Sequence, residues 1–218
     1  MIGYRNSSHT GDDAFTNSRS PAVPVGSVQH DVVVVFLSRW QNATATVSMP
    51  TGFTRLPFQA LSGDGVARID AFWKRLTGTD TGSYTFSWAG SSWCSAEAMS
   101  LFGVLRSGDP VNGRWSTWAG TAGTFGATSL VTDTIIPGLV WNCYNDSTGT
   151  HAPPTGFTET VDVANGSMAY MLPAAAGTHT ASGATVTSSS SSGVVLLALE
   201  PEPDAVVGPE PGRAMLAT

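Results

Sequence analysis

The chain has few charges of either sign and almost no lysine. Charged residues make up 12% of its 218 residues, and Lys74 is the one lysine among ten basic side chains. The net charge of −6 and the scattered arginines leave no basic stripe that could neutralise the phosphates of a nucleic acid. We therefore expect no nucleic-acid partner.

Long hydrophobic runs and a leader pattern are also missing. The longest apolar runs, at 32–37 and 194–199, are much shorter than the about 18 residues that a membrane helix needs. Residues 1–8 have neither a basic region nor the roughly 7 to 15 apolar residues of a secretory signal. We expect no membrane partner and a chain that starts as mature protein.

Cysteine is scarce. Cys94 and Cys143 allow one intramolecular bridge, and neither lies in a CxxC motif or beside a histidine. Because unpaired cysteine is among the most buried residue types, we expect both thiols to be reduced and partly buried, with a disulfide as the alternative.

Patterns that carry catalysis are sparse. Glu97 has no second acid at i+2 or i+4, so the carboxylate pair of a sandwich glycosidase is not indicated. No Gly-x-Ser-x-Gly motif and no dinucleotide or phosphate-loop fingerprint occurs. Counting alone does not exclude a Ser-His-Asp triad. We predict that the protein is not an enzyme.

Metal-ligand spacing is equally weak. The four histidines are isolated in sequence, and we expect them at the surface: His9, His30, His151 and His179. Calcium is the more plausible metal because several aspartates fall in predicted loops: Asp12, Asp13, Asp64, Asp80 and Asp109. No EF-hand pattern organises them, so we predict no metal site and no cofactor.

The strongest positive signal is a repeated pentapeptide. Pro-Thr-Gly-Phe-Thr occurs at 50–54 and again at 154–158. Each copy follows an apolar run, at 31–38 and at 138–144. Proline and glycine at these places favour a tight turn, with the phenylalanine in the core. The repeat predicts two related halves in one all-β body.

Strand-like runs separated by Gly, Pro, Asn, Asp or Ser recur about every 8 to 12 residues, which is typical of sandwiches and jelly rolls. We predict an all-β antiparallel β-sandwich or jelly roll with an internal duplication, a single domain over 21–200 with halves at about 21–110 and 111–200. Residues 96–101 resemble a helical turn, but their place matches the 194–199 strand, so we predict a strand there. The small polar segments 89–92 and 188–192 are predicted hairpin tips.

Both termini are predicted to be extended and polar. Residues 1–20 form an N-terminal arm in this interpretation, with an edge strand near 2–5. Residues 201–218 form a Pro/Glu-rich C-terminal tail, expected to be ordered only against a neighbour. Its prolines are candidate assembly residues: Pro201, Pro203, Pro209 and Pro211.

Two of the seven tryptophans are candidates for contact with a partner. Trp115 and Trp118 lie near the join of the halves. Packing in the core is the favoured interpretation. The alternatives are burial in a protein interface or, less favoured, stacking on a sugar ring.

An ordered set of motifs resembles a module of virion proteins from actinobacterial tailed phages. The motifs are Pro-Val-Gly at 24–26, Asp-Val-Val-Val-Val-Phe at 31–36, the pentapeptide at 50–54, Ala-Phe-Trp-Lys at 71–74 and Ser-Tyr-Thr-Phe-Ser-Trp at 83–88. The resemblance covers roughly residues 2–200, and the module is similar to concanavalin-like jelly rolls. His30 departs from it, because the module more often has a glycine or small residue before the aspartate.

The resemblance implies a non-enzymatic virion component, assembled in the host cytoplasm. A capsid decoration protein is the favoured role, with capsid or tail structural proteins as partners and the chain as a homo-oligomer or as lattice-bound copies. The alternatives are a minor tail or fibre protein and a carbohydrate-binding module that contacts host wall glycans through Trp115 and Trp118. A wall hydrolase is a third, less favoured reading.

Overall fold

The structure, a computed structural model, describes residues 1–41, 44–58, 60–61, 66–133, 135–145 and 149–203, with the side chains of 12–14, 60–61, 121–123 and 188–190 outside that description. All regular secondary structure in the described part consists of β-strands. No described segment forms a helix able to cross a bilayer. The strands are β1 Gly3–Arg19, β2 Val32–Trp40, β3 Val47–Ser48, β4 Thr54–Arg55, β5 Ala60–Leu61, β6 Ala67–Arg75, β7 Phe86–Phe102, β8 Trp115–Thr124, β9 Thr128–Thr132, β10 Gly138–Asn145, β11 His151–Ala152, β12 Thr158–Val163, β13 Gly166–Met171, β14 Gly177–Ala181 and β15 Thr185–Leu199.

Each half builds one large antiparallel sheet, and the two large sheets have the same strand order. In the second half β9 and β14 form a further, separate two-stranded sheet. The first sheet runs β1-β7-β2-β6-β4 and the second runs β8-β15-β10-β13-β12. The short strands also correspond, because β3 pairs with β7 as β11 pairs with β15. The all-β antiparallel sandwich is therefore as the sequence predicts, and the matching order agrees with the repeated pentapeptide. Jelly-roll connectivity in the strict sense stays a prediction.

The pentapeptide forms the same turn in both halves. The Phe53 amide donates to the Pro50 carbonyl at 3.3 Å, and the Phe157 amide donates to that of Pro154 at 3.0 Å. The turn glycines have φ values of 87° and 85°, in the left-handed region that glycine adopts without a steric penalty. Both phenylalanines are buried beneath their own sheet.

The sheets pack face to face on a shared apolar core. Alternate residues of the central strands, such as Phe36 of β2 and Val140 of β10, lie in this inner core. The other face of each sheet covers a smaller core of its own half, with Leu37 in one and Trp141 in the other. One apolar cluster thus joins the halves between the sheets.

The sheets are related by an approximate two-fold arrangement. On one flank Tyr4 of β1 stacks on Tyr170 of β13 with ring centres 4.6 Å apart, and on the other Trp115 of β8 lies 4.6 Å from Phe58. Near the middle, the segments after β7 and β15 form an antiparallel bridge, with reciprocal hydrogen bonds of 2.8 and 2.9 Å between residues 103–105 and 200–202. Each half therefore presents the same face to the other, as in an isologous dimer.

Three local expectations need correction. The N-terminal arm predicted over 1–20, with an edge strand near 2–5, is instead one edge strand over residues 3–19, β1, because their backbone pairs with β7. Segments 89–92 and 188–192 are not hairpin tips but lie within the long strands β7 and β15. Both strands bend there at register shifts, and Gly90 takes a φ of 74° in the first. The strand predicted at 96–101 is present.

Candidate functional site

The two candidate tryptophans lie on opposite faces of β8. Trp115 leans on the inner core beside Phe58, whereas Trp118 packs on the outer core of the second half, 6.3 Å from Phe125. A Cβ added at Gly120 or Gly126 would lie within 2.3 or 2.0 Å of the Trp118 ring. The indole therefore packs directly against the backbone of these two glycines. The pair does not form one stacking platform, and a contact of either ring with a partner or glycan stays a prediction.

The outer edges of the two sheets are equivalent in position and different in chemistry. The edge strand β1 carries charged or titratable side chains, and its pairing with β7 has three register shifts. The edge strand β8 has no charged residue in ten, and its pairing has one shift. Charges and bulges are the features that protect sheet edges from pairing with other chains. Of the two, β8 is the unprotected edge.

Two clefts involve corresponding segments of the two halves, namely the segment before β2 or β10 and the segment after β7 or β15. The first, of about 340 Å³, is formed by the segment before β2 and the segment after β7. The second, of about 680 Å³, is formed by the segment before β10, the loop after β13, the chain after β15 and the first two residues. The clefts adjoin, because the Arg106 amide beside the first donates to the Glu202 carboxylate beside the second.

The cleft of the first half is charged. Arg5 donates to the Asp31 carboxylate at 2.9 Å, and its guanidinium lies 4.6 Å from the centre of the Phe102 ring. Gln29, His30 and Arg106 complete the polar lining and are exposed. His30 has a φ of 73°, in the left-handed region that favours glycine. A glycine at this position would adopt the same conformation without a steric penalty.

The cleft of the second half is apolar. Its walls include Ile136, Pro137, Leu172 and Pro201, and Glu202 is the charged residue among the described lining residues. Met1, Ile136 and Leu172 are 95%, 50% and 44% exposed. Of the tail prolines, Pro201 and Pro203 line this cleft, whereas Pro209 and Pro211 lie outside the described residues. A concave, exposed apolar surface indicates a binding surface.

A cluster of buried charges lies on the outer face of the first sheet and was missed by the sequence analysis. Asp70 accepts hydrogen bonds from Arg39 at 2.8 Å, from Arg68 at 2.6 and 2.8 Å, and from Arg55. The side chains of Arg39 and Asp70 have no exposed surface. A substrate in solvent does not reach this carboxylate, so the cluster is structural. The signal in the sequence was the spacing of Arg68 and Asp70, which places both on one face of β6.

Two histidines expected at the surface are buried. His151 Nδ1 lies 3.0 Å from the Asp162 carboxylate, and burial lowers the pKa of the imidazole against the opposing effect of that carboxylate. His179 Nε2 lies 2.9 Å from the Thr132 hydroxyl, and burial lowers its pKa too. In the described part of the chain the Asp162 carboxylate is thus bonded to His151, whereas the Thr132 hydroxyl is bonded to His179. They do not assemble into a Ser/Thr-His-Asp triad.

The remaining candidate groups are accounted for by the fold. Cys94 and Cys143 are buried and are not joined in a disulfide, in agreement with the prediction, and burial raises the pKa of the Cys143 thiol well above its usual value. Asp80 binds Lys74 and the Thr77 amide, and Asp109 accepts from a backbone amide. The described residues contain no group of three or more potential metal ligands. The side chains of Asp12, Asp13 and Asp64 lie outside the description.

Comparison with protein families, with curated proteins and with solved structures gives no match. The function must be inferred from the geometry of the chain itself. Its most informative surfaces are the uncharged edge β8 and the apolar cleft of the second half.

Proposed function

We propose that this protein is a non-enzymatic structural component of a tailed-phage particle, with decoration of the capsid as its role. The observation that carries the proposal is the uncharged edge strand β8, whose pairing with β15 is uninterrupted from Trp115 to Ala122. An exposed strand of this kind can pair with an extended segment of another protein through main-chain hydrogen bonds. Among the described residues β8 is hydrogen-bonded to β15 alone. The proposed partner would pair with the other side of β8.

The internal duplication supports this interpretation of β8. The same fold in the first half has an edge strand, β1, that carries Arg5, His9 and Arg19 and is interrupted by bulges. The fold is therefore compatible with an edge strand that is protected by charges and bulges, but β8 of the second half carries no charge. Because an unprotected edge promotes aggregation, it is most easily retained where a partner covers it.

The polar chemistry of the described residues also supports a structural role. The buried Asp70 carboxylate is occupied by three arginines, and no hydroxyl group of the described residues is bonded to the His151 and Asp162 pair. The partners in this proposal are capsid or tail proteins, with copies of the chain bound to a repeated lattice. Localisation is the virion, after assembly in the host cytoplasm.

The test uses particles of the encoding phage that are prepared without this protein. Purified chain is added, and binding is measured by co-sedimentation. Wild-type protein should bind to saturation. Thr117→Lys combined with Ala119→Lys places two charges at exposed positions of β8 and should weaken binding at least tenfold. The matched control is Asn17→Lys at an exposed position of β1, which should bind as wild type does.

Failure of the wild-type chain to bind these particles would contradict the proposal. Equal binding of the β8 and β1 variants would keep the particle as partner but remove β8 as the contact. Reproducible binding to a glycan array that is lost in Trp118→Ala would favour the carbohydrate-binding alternative. An electron-microscopy map of the reconstituted particle would then separate the capsid from the tail.

A further inference from the structure

A polar contact crosses between the two large sheets inside the apolar core. The Asn142 side chain of β10 donates to the Glu97 carboxyl group of β7 at 3.4 Å. β7 belongs to the first sheet and β10 to the second, and both residues are fully buried. Other inward positions of the same strands carry apolar side chains, such as Met99 and Val140. The contact therefore joins the halves at a point where an apolar pair would be expected.

The repeated pentapeptide identifies the equivalent residues of the other half. Thr54 pairs with Trp73 as Thr158 pairs with Tyr170, so β6 and β13 share one register. Continued along the sheets, this register gives three pairs of equivalent positions: Phe36 with Asn142, Glu97 with Val195, and Ile69 with Gly166. Phe36, Ile69 and Val195 all belong to the inner core. The polar contact thus has an apolar counterpart on the other side of the approximate two-fold.

The second half leaves room for the Glu97 carboxyl group. A Cβ added at Gly166 would lie 3.5 Å from Glu97 Oε1 and 2.9 Å from the Cys143 carbonyl oxygen. The isoleucine at the equivalent position of the first half would therefore crowd this carboxyl group. The two inner faces differ in shape as well as in polarity.

We infer that Glu97, Asn142 and Gly166 determine which halves can pair, so that a first half pairs with a second half and not with the first half of another copy. Two first halves would bury each Glu97 against Phe36 and Ile69, whose side chains offer the carboxyl group no hydrogen bond. Such a mismatch disfavours the wrong partner more than it stabilises the right one.

Pairing of two second halves is disfavoured for a different reason. It would place each Asn142 against Val195, which cannot accept from the buried amide, and would leave the space beside Gly166 unfilled. Copies crowded on a lattice would therefore keep their halves in the native, unlike combination. This goes beyond the proposed function, because it concerns the pairing of halves and requires no phage particle.

Exchange of the equivalent side chains tests the inference on the full chain. Glu97→Val copies Val195, which makes two first halves compatible and takes the carboxyl group from Asn142 in the native pairing. Asn142→Phe copies Phe36 and has the same two effects for the second halves. Each single variant should lower the Tm by about 5 °C or more. After refolding, each should raise the fraction of dimer about fivefold. Light scattering at several protein concentrations measures the dimer.

The double variant, Glu97→Val with Asn142→Phe, restores a matched pair in the native combination. It should recover about half or more of the loss in Tm, which requires that Glu97→Val stabilises the chain that contains Asn142→Phe. The dimer fraction should return to that of wild type, because intramolecular pairing again acts at an effective concentration on the order of millimolar. The matched control is Trp141→Phe, in the outer core of the second half. It reduces stability without changing the inner face and should keep the wild-type dimer fraction.

Three outcomes would overturn the inference. Equal dimer fractions in Glu97→Val and Trp141→Phe would mean that exchange of halves follows from lost stability alone. A double variant less stable than both single variants would mean that the two side chains do not act as a pair. If Asn142→Phe does not fold, the soluble yield of the double variant becomes the measurement, and a double variant that also fails to fold would contradict the inference.

Discussion

The two halves share a fold but bury different chemistry at equivalent positions. Leu37 pairs directly with Asp70 in the first sheet, and Cys143 pairs directly with Ser167 at the equivalent place in the second. Asp70 therefore corresponds to Ser167. The same registers extend this match to the whole ion cluster. Arg39, Arg55, Arg68 and Asp70 of the first half correspond to Asn145, Glu159, Asn165 and Ser167 of the second.

This difference shows that the ion cluster is not a requirement of the architecture. In the second half the Ser167 hydroxyl donates to Glu159, and the Asn165 amide donates to the Asn145 carbonyl at 3.2 Å. Burying an ion pair costs desolvation energy that uncharged groups avoid. Residues 1–110 hold eight basic and eight acidic residues, whereas 111–200 hold one basic and five acidic residues. The halves have therefore diverged in how they satisfy buried polar positions, while the apolar faces stayed alike.

The largest expected effect comes from removing the carboxylate of the first half. Asp70→Asn leaves the buried Arg39 and Arg68 without this charged partner, so we expect a loss of about 3 to 5 kcal/mol in the free energy of unfolding. Urea denaturation followed by tryptophan fluorescence measures the change. Such a loss would bring the first half close to the limit of stability.

The matched variant in the second half is Ser167→Ala. It removes one hydrogen bond to a partly buried carboxylate, and we expect a cost of about 1 to 3 kcal/mol, below that of Asp70→Asn. Equal losses in the two variants would mean that the ionic character of the cluster contributes nothing beyond hydrogen bonding.

Much of the fold could be predicted from the sequence because its signals are local. The apolar run of β2 indicates a strand that is buried on both faces, and the pentapeptide indicates a tight turn. Each of these signals is contained in a few consecutive residues. The bends at 89–92 and 188–192 could not be told from hairpin tips, because small polar residues and a glycine suit both a bulge and a turn.

The candidate site was less predictable because it depends on distant residues. The apolar cleft combines the N-terminus, two loops and the chain after β15, which only the sheet pairing brings together. The burial of His151 also depends on strand pairing, since β11 lies against β15. A strand of only two residues leaves no recognisable pattern in the sequence. Trp115 and Trp118 illustrate the opposite case. Their spacing of three already places them on opposite faces of a strand, and that signal was present in the sequence.

A smaller effect is expected from replacing the turn glycines, which tests whether the repeated turn requires glycine equally in both halves. Gly52→Ala and Gly156→Ala each force a side chain into a left-handed conformation, with an expected cost of about 1 to 2 kcal/mol. The Gly52 variant should be slightly worse, because its Cβ would lie 3.2 Å from Lys74, against 3.5 Å from Met171 for Gly156. Thermal unfolding of the two variants measures the difference. A neutral effect at either position would show that the turn relaxes.

The smallest expected effect is a slope of stability with pH that arises in the second half. His151 of β11 occupies the place of Val47 in β3, and burial lowers its pKa despite the nearby Asp162 carboxylate. The unfolded chain therefore binds a proton near pH 6.5 that the folded chain still excludes, so stability should fall as pH decreases through about 6.5. His179 acts in the same direction, whereas the raised pKa of Glu159 acts oppositely near pH 4.5.

Replacement of the histidine by its first-half counterpart isolates this contribution. His151→Val should flatten the dependence of the urea midpoint on pH between about 5.5 and 8, leaving the share of His179. The exposed His9 provides the control, and His9→Ala should keep the wild-type slope. A wild-type slope that persists in His151→Val would mean that the pKa of the imidazole is the same in the folded and the unfolded chain, so that the slope arises elsewhere. A slope that becomes steeper would mean that the imidazole is protonated in the folded protein, with Asp162 as its counter-ion. In that case the second half would contain a buried ion pair of its own, and the contrast between the halves would be one of position rather than of chemistry.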